Sequence, residues 1–435
     1  MSLKSDPYWW EACLPGASAE ADMPAELPAQ VDVVVVGAGL TGSSAARTLA
    51  KNGASVLLLD AETPGFGGST RNGGMIGGGH RLSIDELTAQ YGTETAHALL
   101  REAHCDSLAY AKALIAEEDI DCDFHTYGRF SGQRSPAVYD ETARNMERLA
   151  RIVPINVEMV PRTEQQREVG TEFYSGGLLL HDHGGLHPAK YHRGILDAAR
   201  SAGVVVSAPT PVDGVTRSGS SYRVDTPRGP VMAGDVLMST NGYTRQTFRP
   251  LMRRIIPVSS YVTTTGELSD NLIQSIMPGR RMVVETRNRH CYYRLSPDGK
   301  RLVFGARAAM HQVSQATATN TIRGLMTEIF PALEGVEITH SWTGRLGFTF
   351  AMLPHVGRMD GVWHAMGFSG SGNAMAPYLG HKAALAMLGH KDAETAFSKT
   401  EFPTRFWHFG RPWFLPLAHA LYRVLDIRDD LRRAH

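Results

Sequence analysis

The chain has no surplus of charge: 44 Lys and Arg are matched by 44 Asp and Glu. Without a net field there is nothing to gather polyanions at long range, so nucleic acid is not an expected partner. Cysteine is scarce. Cys13, Cys105, Cys122 and Cys291 lie far apart and form no CxxC pair, which excludes a zinc ribbon and a thioredoxin-type redox motif and fits a reducing, cytoplasmic setting. No run approaches the roughly 18 uncharged apolar residues of a membrane span, and the N-terminus has no basic region followed by an apolar one, so the expectation is a soluble protein with no membrane span. Repeats of roughly 20 to 50 residues and low-complexity tracts are also missing.

Glycine, by contrast, is abundant. It makes up 44 of 435 residues, against a usual share of about 7%, and points to tight turns or to backbone lying close against a ligand. Apolar residues are 43% of the chain, enough for a large core in two or three structural units.

The glycines concentrate where the first strand ends. Residues 31–36 are a β-branched run with one charge, as in a strand buried on both faces. Residues 43–52 have helical character, Gly53 stands where a C-terminal cap would, and residues 55–60 read as a second strand. Between the strands, Gly37-Ala38-Gly39-Leu40-Thr41-Gly42 fits G-x-G-x-x-G, and Asp60 follows at the distance of the acid in dinucleotide sites. Gly37 allows the turn, Gly39 admits a pyrophosphate to the backbone, and Gly42 lets helix and strand pack closely. The helix N-terminus attracts the phosphates. Asp60 can accept from ribose hydroxyls and would repel a 2′-phosphate.

This pattern does not separate NAD from FAD, but the next segment does. Gly65 to Met75, continuing through Gly77-Gly78-Gly79, is a small-residue loop that includes Gly67, Ser69, Thr70, Arg71, Asn72, Gly73 and Gly74. Such a loop leaves N–H groups free and lets the main chain pass along a flat ring and its pyrophosphate. Arg71 and Asn72 add charge and directed hydrogen bonds.

Further on, helical character covers residues 84–118, 140–153, 191–202 and 321–330, and strand character covers 121–132, 204–206, 222–226 and 235–239. Residues 174–188 read as a crossing loop, 255–304 as a largely antiparallel sheet, and 342–380 as a Gly-rich segment. The fold class is therefore α/β, a Rossmann-like domain interleaved with a mixed, largely antiparallel one.

Several stretches together resemble one family. The arm Pro7-Tyr8-Trp9-Trp10, residues 33–42, Gly67 to Gly74, Gly185-Leu186-His187-Pro188, Ser239-Thr240-Asn241-Gly242-Tyr243 and Gly367-Phe368-Ser369-Gly370-Ser371-Gly372 are similar to the D-amino acid oxidase-like FAD-dependent oxidoreductases. The branch containing gamma-glutamylputrescine oxidase looks nearest. The likeness runs from Pro7 to about Leu388. It implies an N-terminal arm (1–29), a discontinuous FAD domain (30–108, 185–256 and 340–390), a substrate domain (109–184 and 257–339) and a C-terminal extension (391–435). It also implies that Asp60 and Ala61 meet the adenosine ribose, Ser69 to Met75 run along the pyrophosphate and flavin, Val212 meets the adenine, and Asn241 and Gly367 belong to the cofactor wall. Gly370, Ser371, Gly372 and Asn373 would lie near the pyrimidine ring, where N–H groups ahead of a helix from Pro377 can stabilise negative charge.

The activity implied is oxidation of an amine or amino acid to an imine by hydride transfer to FAD, with oxygen as the acceptor. Candidate catalytic residues are Tyr261, Arg345 and members of the run Arg289 to Arg294. In that run His290, Tyr292 and Arg294 share one strand face, while Arg289, Cys291 and Tyr293 share the other. Arg345 could grip a carboxylate. Two departures from the sarcosine-oxidase branch stand out. Ala374 and Gly74 occupy the places of its basic carboxylate clamp, and residues 349–354 lack the Asp many relatives carry. No Cys stands near Gly344, so FAD is expected to be non-covalent. His181, Asp182, His183 and His187 lack metal-ligand spacing, and no metal is expected. The 407–433 tail reads as an amphipathic helix that covers the body or makes an oligomer contact. Two other readings stay open: a flavin monooxygenase reduced by NADPH, and a non-catalytic flavoprotein.

Overall fold

A computed structural model of the chain describes residues 3–14, 24, 26–79, 81–287 and 290–433. The β-branched run becomes strand Gln30–Val36, paired in parallel with Val56–Leu59 on one side and Val231–Met238 on the other. Both faces of this strand are covered, which is why its apolar run is continuous. Val33, Val35 and Leu58 join Ala45, Ala46, Leu49 and Leu379 of the covering helices, while Val34, Val36 and Leu57 join Tyr222, Val224 and Leu251 on the opposite side. The full order is His355–Met359, Val362–Met366, Val231–Met238, Gln30–Val36, Val56–Leu59, Val205–Ser207, with the hairpin Gly214–Ser218 and Ser221–Asp225 attached to Val231–Met238. Helices Leu40–Lys51, Pro188–Ser201 and Gly372–Met387 pack on this sheet.

The second sheet runs Ile338–Thr349, Ile255–Thr265, Leu302–Ala306, Tyr292–Leu295, Met282–Glu285, Arg129–Gly132, Gly177–Leu180, Val157–Val160. Only the pairing of Met282–Glu285 with Arg129–Gly132 is parallel; the other adjacent pairs are antiparallel. One face closes over helix Gln315–Ile329, with Tyr293 stacked on Phe304 and edge-on to Phe330.

Three details differ from the sequence reading. The supposed crossing loop contains strand Gly177–Leu180, whose glycine serves close packing, since a Cβ on Gly177 would lie 2.2 Å from the Phe130 ring. The helix expected from Pro377 begins at Gly372, and Pro377 lies inside it. Strand Ile338–Thr349 pairs with Ile255–Thr265 along its length, so by sheet membership the chain returns to the first sheet near residue 350, and we propose that division in place of 340. At the C-terminus, helix Leu415–Arg433 sets Leu415, Ala418 and Tyr422 against a cluster containing Phe348, Ile256 and Val258. Among the described residues no helix is long and apolar enough to cross a membrane.

Candidate active site

A cavity of about 590 Å³ opens at the C-terminal ends of the parallel strands, where ligands bind in open α/β sheets. Gly37, Gly39, Asp60, Ala61, Gly67, Ser69, Arg71, Asn72, Val212, Asn241, Gly370, Gly372 and Asn373 all line it. The tight turn is evident in Gly37, whose φ is 105°. A Cβ on Gly42 would sit 1.9 Å from the Gly37 carbonyl oxygen, so this glycine acts from behind the wall, letting the helix approach. The first turn of helix Leu40–Lys51 has no side-chain cap at Gly39, which leaves its N-terminus to an anion. Ser69 reaches across, its Oγ accepting from the Leu40 N–H at 3.0 Å.

The loop after Asp60 is tied down from several sides. The Arg71 guanidinium lies in the corner made by the Trp10 and Phe66 rings, at 4.6 and 4.5 Å, and donates to the Phe66 and Thr343 carbonyls. Its charge is therefore used in fixing the loop. Asn72 accepts from Asn373 Nδ2 at 2.9 Å and from the Gly74 N–H, and Asn373 also donates to the Met75 carbonyl. These two amides join the early glycine loop to the late one. Thr70, Gly73, Gly74, Met75, Gly367 and Ser371 stand in the same loops behind the cavity surface. Gly367 donates its N–H to Asn241 Oδ1, and Thr70 accepts from the Trp10 indole. Sequence reasoning missed Phe66, Tyr243, Ser369 and, apart from Arg345, the stretch 343–347 as wall residues; the last was hidden because it belongs to a strand of the other sheet.

The catalytic candidates separate. Tyr261 is a correction: it is buried in the second sheet's core, with its hydroxyl donating to the His311 carbonyl and accepting from the Val313 N–H. Arg294 is another. Fully buried, it donates to the carbonyls of Gly74, Leu186 and Leu295 and so braces the loop. Arg345 is exposed at the rim of the cavity, over Tyr243. Tyr292 stands directly behind the early loop: a Cβ on Gly73 would meet its ring at 2.8 Å, and its hydroxyl pairs with Ser260 at 3.1 Å. Burial raises its phenol above the ordinary value. His290 lies beside it, Nδ1 against the Glu285 carbonyl at 3.2 Å. Burial first, then Arg307, Arg81 and Arg129, push its pKa down to about 3. Of the sequence's two alternatives, the Tyr292 face meets the loop and Tyr293 faces the core; Arg289 lies outside the described residues. The histidines of the 181–187 stretch go separate ways: His183 Nε2 accepts from Gly78, and His187 caps helix Pro188–Ser201.

Residues 32–385 match the family model described as FAD dependent oxidoreductase, DAO. The chain belongs to this family. It is an FAD-dependent oxidoreductase, which sets aside the non-catalytic reading. It is 31% identical to the gamma-glutamylputrescine oxidoreductase of Escherichia coli K12 over 92% of this chain and 93% of that protein. It is 30% identical to the probable oxidoreductase OrdL of Rhizobium meliloti over 96% and 97%. Among solved structures, glycine oxidase from Geobacillus kaustophilus superposes with a TM-score of 0.72 at 21% identity, covering 87% of this chain and 99% of that one.

The residues of this DAO-family cavity suit FAD. Asp60 accepts from the Ala38 N–H at 2.7 Å and the Glu62 N–H at 3.0 Å, leaving acceptor capacity on a carboxylate that lines the cavity. Burial raises its pKa to about 6 against those hydrogen bonds. Ribose hydroxyls would complete its shell and favour the ionised form. Binding below pH 6 must then expel a proton, so FAD affinity is expected to be flat above pH 6 and to fall by up to roughly tenfold per pH unit below it. Fluorescence titration of the apoprotein checks this, and Asp60→Asn should bind more weakly and lose the acid limb.

Proposed function

We propose that this oxidoreductase converts the C–N bond of a small amine or amino acid to an imine by hydride transfer, with oxygen as the acceptor and FAD held without a covalent bond. The observation that carries the reading is the pair Tyr292 and His290, half-buried and uncharged, with the Tyr292 ring against Gly73 of the early loop and His290 beside it. The names of the E. coli relative and of the solved glycine oxidase point the same way. FAD, when bound, supplies the two-electron oxidation of the C–H bond next to nitrogen.

The chain's own residues prepare the substrate. Since the Glu285 oxygen can only accept, His290 Nδ1 carries the proton and Nε2 keeps a lone pair able to accept from an amine N–H. Its low pKa means it does not hold the substrate's proton. The desolvated surroundings and the nearby guanidinium charges disfavour an ammonium, so the amine reacts as the free base. Tyr292 orients it, and Asn72 and Asn373 keep the two glycine loops in register. Ser69 and the start of helix Leu40–Lys51 would hold the pyrophosphate and Asp60 the ribose. All four cysteines are free, in keeping with a reducing cytoplasmic setting.

Anaerobic mixing of holoenzyme with a panel of primary, secondary and glutamylated amines tests the reading. One class should bleach the flavin, admitting oxygen should restore the colour, and a carbonyl product should accumulate. Bleaching by NADPH with none by any amine would make it a monooxygenase instead.

A further inference from the structure

The C-terminal extension turns six large apolar side chains to water. Phe406 is 86% exposed, and Phe409, Trp413, Leu417, Leu421 and Val424 are each between 56 and 68% exposed. Single exposed apolar residues are ordinary, but a run of them on one short segment marks a contact surface. The spacing on helix Leu415–Arg433 explains part of the display. Leu415, Ala418 and Tyr422 pack on the body, while Leu417, Leu421 and Val424, at i, i+4 and i+7, form a second apolar stripe on another face. Ahead of the helix the surface continues as an aromatic platform. Trp407 meets Phe350, Trp413 and Phe414 edge-on, with ring centres 5.8, 6.1 and 5.1 Å apart. The platform is fastened to the body from behind, since Arg253 Nε donates to the His408 carbonyl, Arg254 Nε to the Phe402 carbonyl and Thr404 to the Arg253 carbonyl.

The charge around this platform is of one sign. Residues 402–425 contain Arg405, Arg411 and Arg423 and no Asp or Glu, in a chain whose charges otherwise balance. The carboxylates that bracket the run are Glu401, which is exposed, and Asp426, which is buried. Arg405 and Arg411 are exposed. Arg405 Cζ lies 5.4 Å from the centre of the Phe350 ring, and Arg253 Cζ lies 5.5 Å from that of Phe409. Both guanidiniums donate to carbonyls, which leaves their charge unneutralised.

That charge decides what the surface takes. A second copy seated on the same patch across a two-fold axis would set these arginines against their own counterparts with no exposed carboxylate from residues 402–425 between them. A bilayer with anionic headgroups matches both features: its phosphates meet the guanidiniums, while Phe, Trp and Leu enter the boundary between headgroups and acyl chains. Trp suits that depth, because its ring is apolar and its N–H stays wet. We propose that residues 402–425 dock the enzyme on an anionic membrane surface through the aromatic platform and the outward stripe of the helix. The docking is peripheral, as no described helix is long and apolar enough to cross a membrane. The family match ends at residue 385, so the surface lies beyond the part of the chain that matches the family.

Flotation of the full-length holoenzyme tests this, with vesicles of phosphatidylcholine alone and of phosphatidylcholine mixed with phosphatidylglycerol. Wild type should rise with the mixed vesicles, stay behind with the neutral ones, and bind more weakly in high salt. The double variant R405Q/R411Q should lose affinity by roughly fivefold for each arginine removed. A triple variant, Phe406→Ser with Trp413→Ser and Leu417→Ser, should lose at least tenfold. These side chains are exposed, so both variants should keep FAD and the wild-type circular dichroism. Brominated lipid should quench tryptophan emission in wild type and much less in Trp413→Phe, which should still float. Absence of binding to the mixed vesicles by wild type overturns the proposal, as does unchanged binding by the triple variant. A concentration-dependent dimer that the triple variant abolishes, with no vesicle binding, would assign the surface to a second copy and also overturn it.

Discussion

Gly39→Val is expected to abolish FAD retention while leaving the fold standing. The residue lines the cavity at the start of helix Leu40–Lys51, and even a methyl there would lie 2.8 Å from Ser69 Oγ. That hydroxyl is the acceptor of the Leu40 N–H. A branched side chain therefore does two things at once: it pushes Ser69 away and fills the space a pyrophosphate needs. No backbone atom is in the way, so the apoprotein can keep its structure. Affinity should fall by roughly a hundredfold or more, about 3 kcal/mol, with far-UV circular dichroism close to wild type. Wild-type occupancy in the purified variant would refute the placement of the phosphates. Gly42→Ala should behave differently, since its Cβ would meet the Gly37 carbonyl at 1.9 Å. Helix and turn must part, and the folded protein itself should lose stability, on the order of 1 to 3 kcal/mol.

The second large effect concerns the N-terminal arm. Trp9 is 0% exposed; it packs with Trp342, Val262 and Ala189, and its indole N–H donates to the Asn72 carbonyl at 2.8 Å. Trp10 donates to Thr70, and Trp342 donates to the Arg71 carbonyl. Three indoles thus hold three consecutive residues of the cofactor loop. Trp9→Ala removes a large buried ring and one of these bonds, and should cost about 3 to 5 kcal/mol in unfolding of the apoprotein. Because Asn72 also meets Asn373, FAD affinity should drop as well. Trp9→Phe keeps most of the packing but not the N–H donor. If the arm acts through Asn72, this variant should recover most of the stability and less of the affinity. Recovery of both together would make the arm a packing element only.

These two sites also show what a linear sequence reveals. The turn at Gly37, the helix start and Asp60 were legible because they lie within one βαβ unit, where spacing is geometry. The arm Pro7-Tyr8-Trp9-Trp10 was visible as one of the stretches that resemble the family, but its targets at Thr70 and Asn72 were not. Residues 174–188 were misread because glycine there marks close packing against Phe130 and His125, and composition alone does not distinguish that from a loop. Tyr261 and Arg294 fit the expected chemistry, yet which face of a strand meets a cavity depends on pairing, and the register of Ile255–Thr265 turns Tyr261 into the core.

We propose that the cavity takes FAD with its ribose at Asp60 and its ring between the loops joined by Asn72 and Asn373. A crystal structure of the enzyme purified with its cofactor tests this most directly. It should show the ribose hydroxyls on the Asp60 carboxylate, the pyrophosphate at Gly39 and Ser69, and the ring beside Gly73 and Gly370, with Tyr292 and His290 facing its reactive edge. A ring lodged at the Val212 end, or a nicotinamide nucleotide in the cavity, would contradict it.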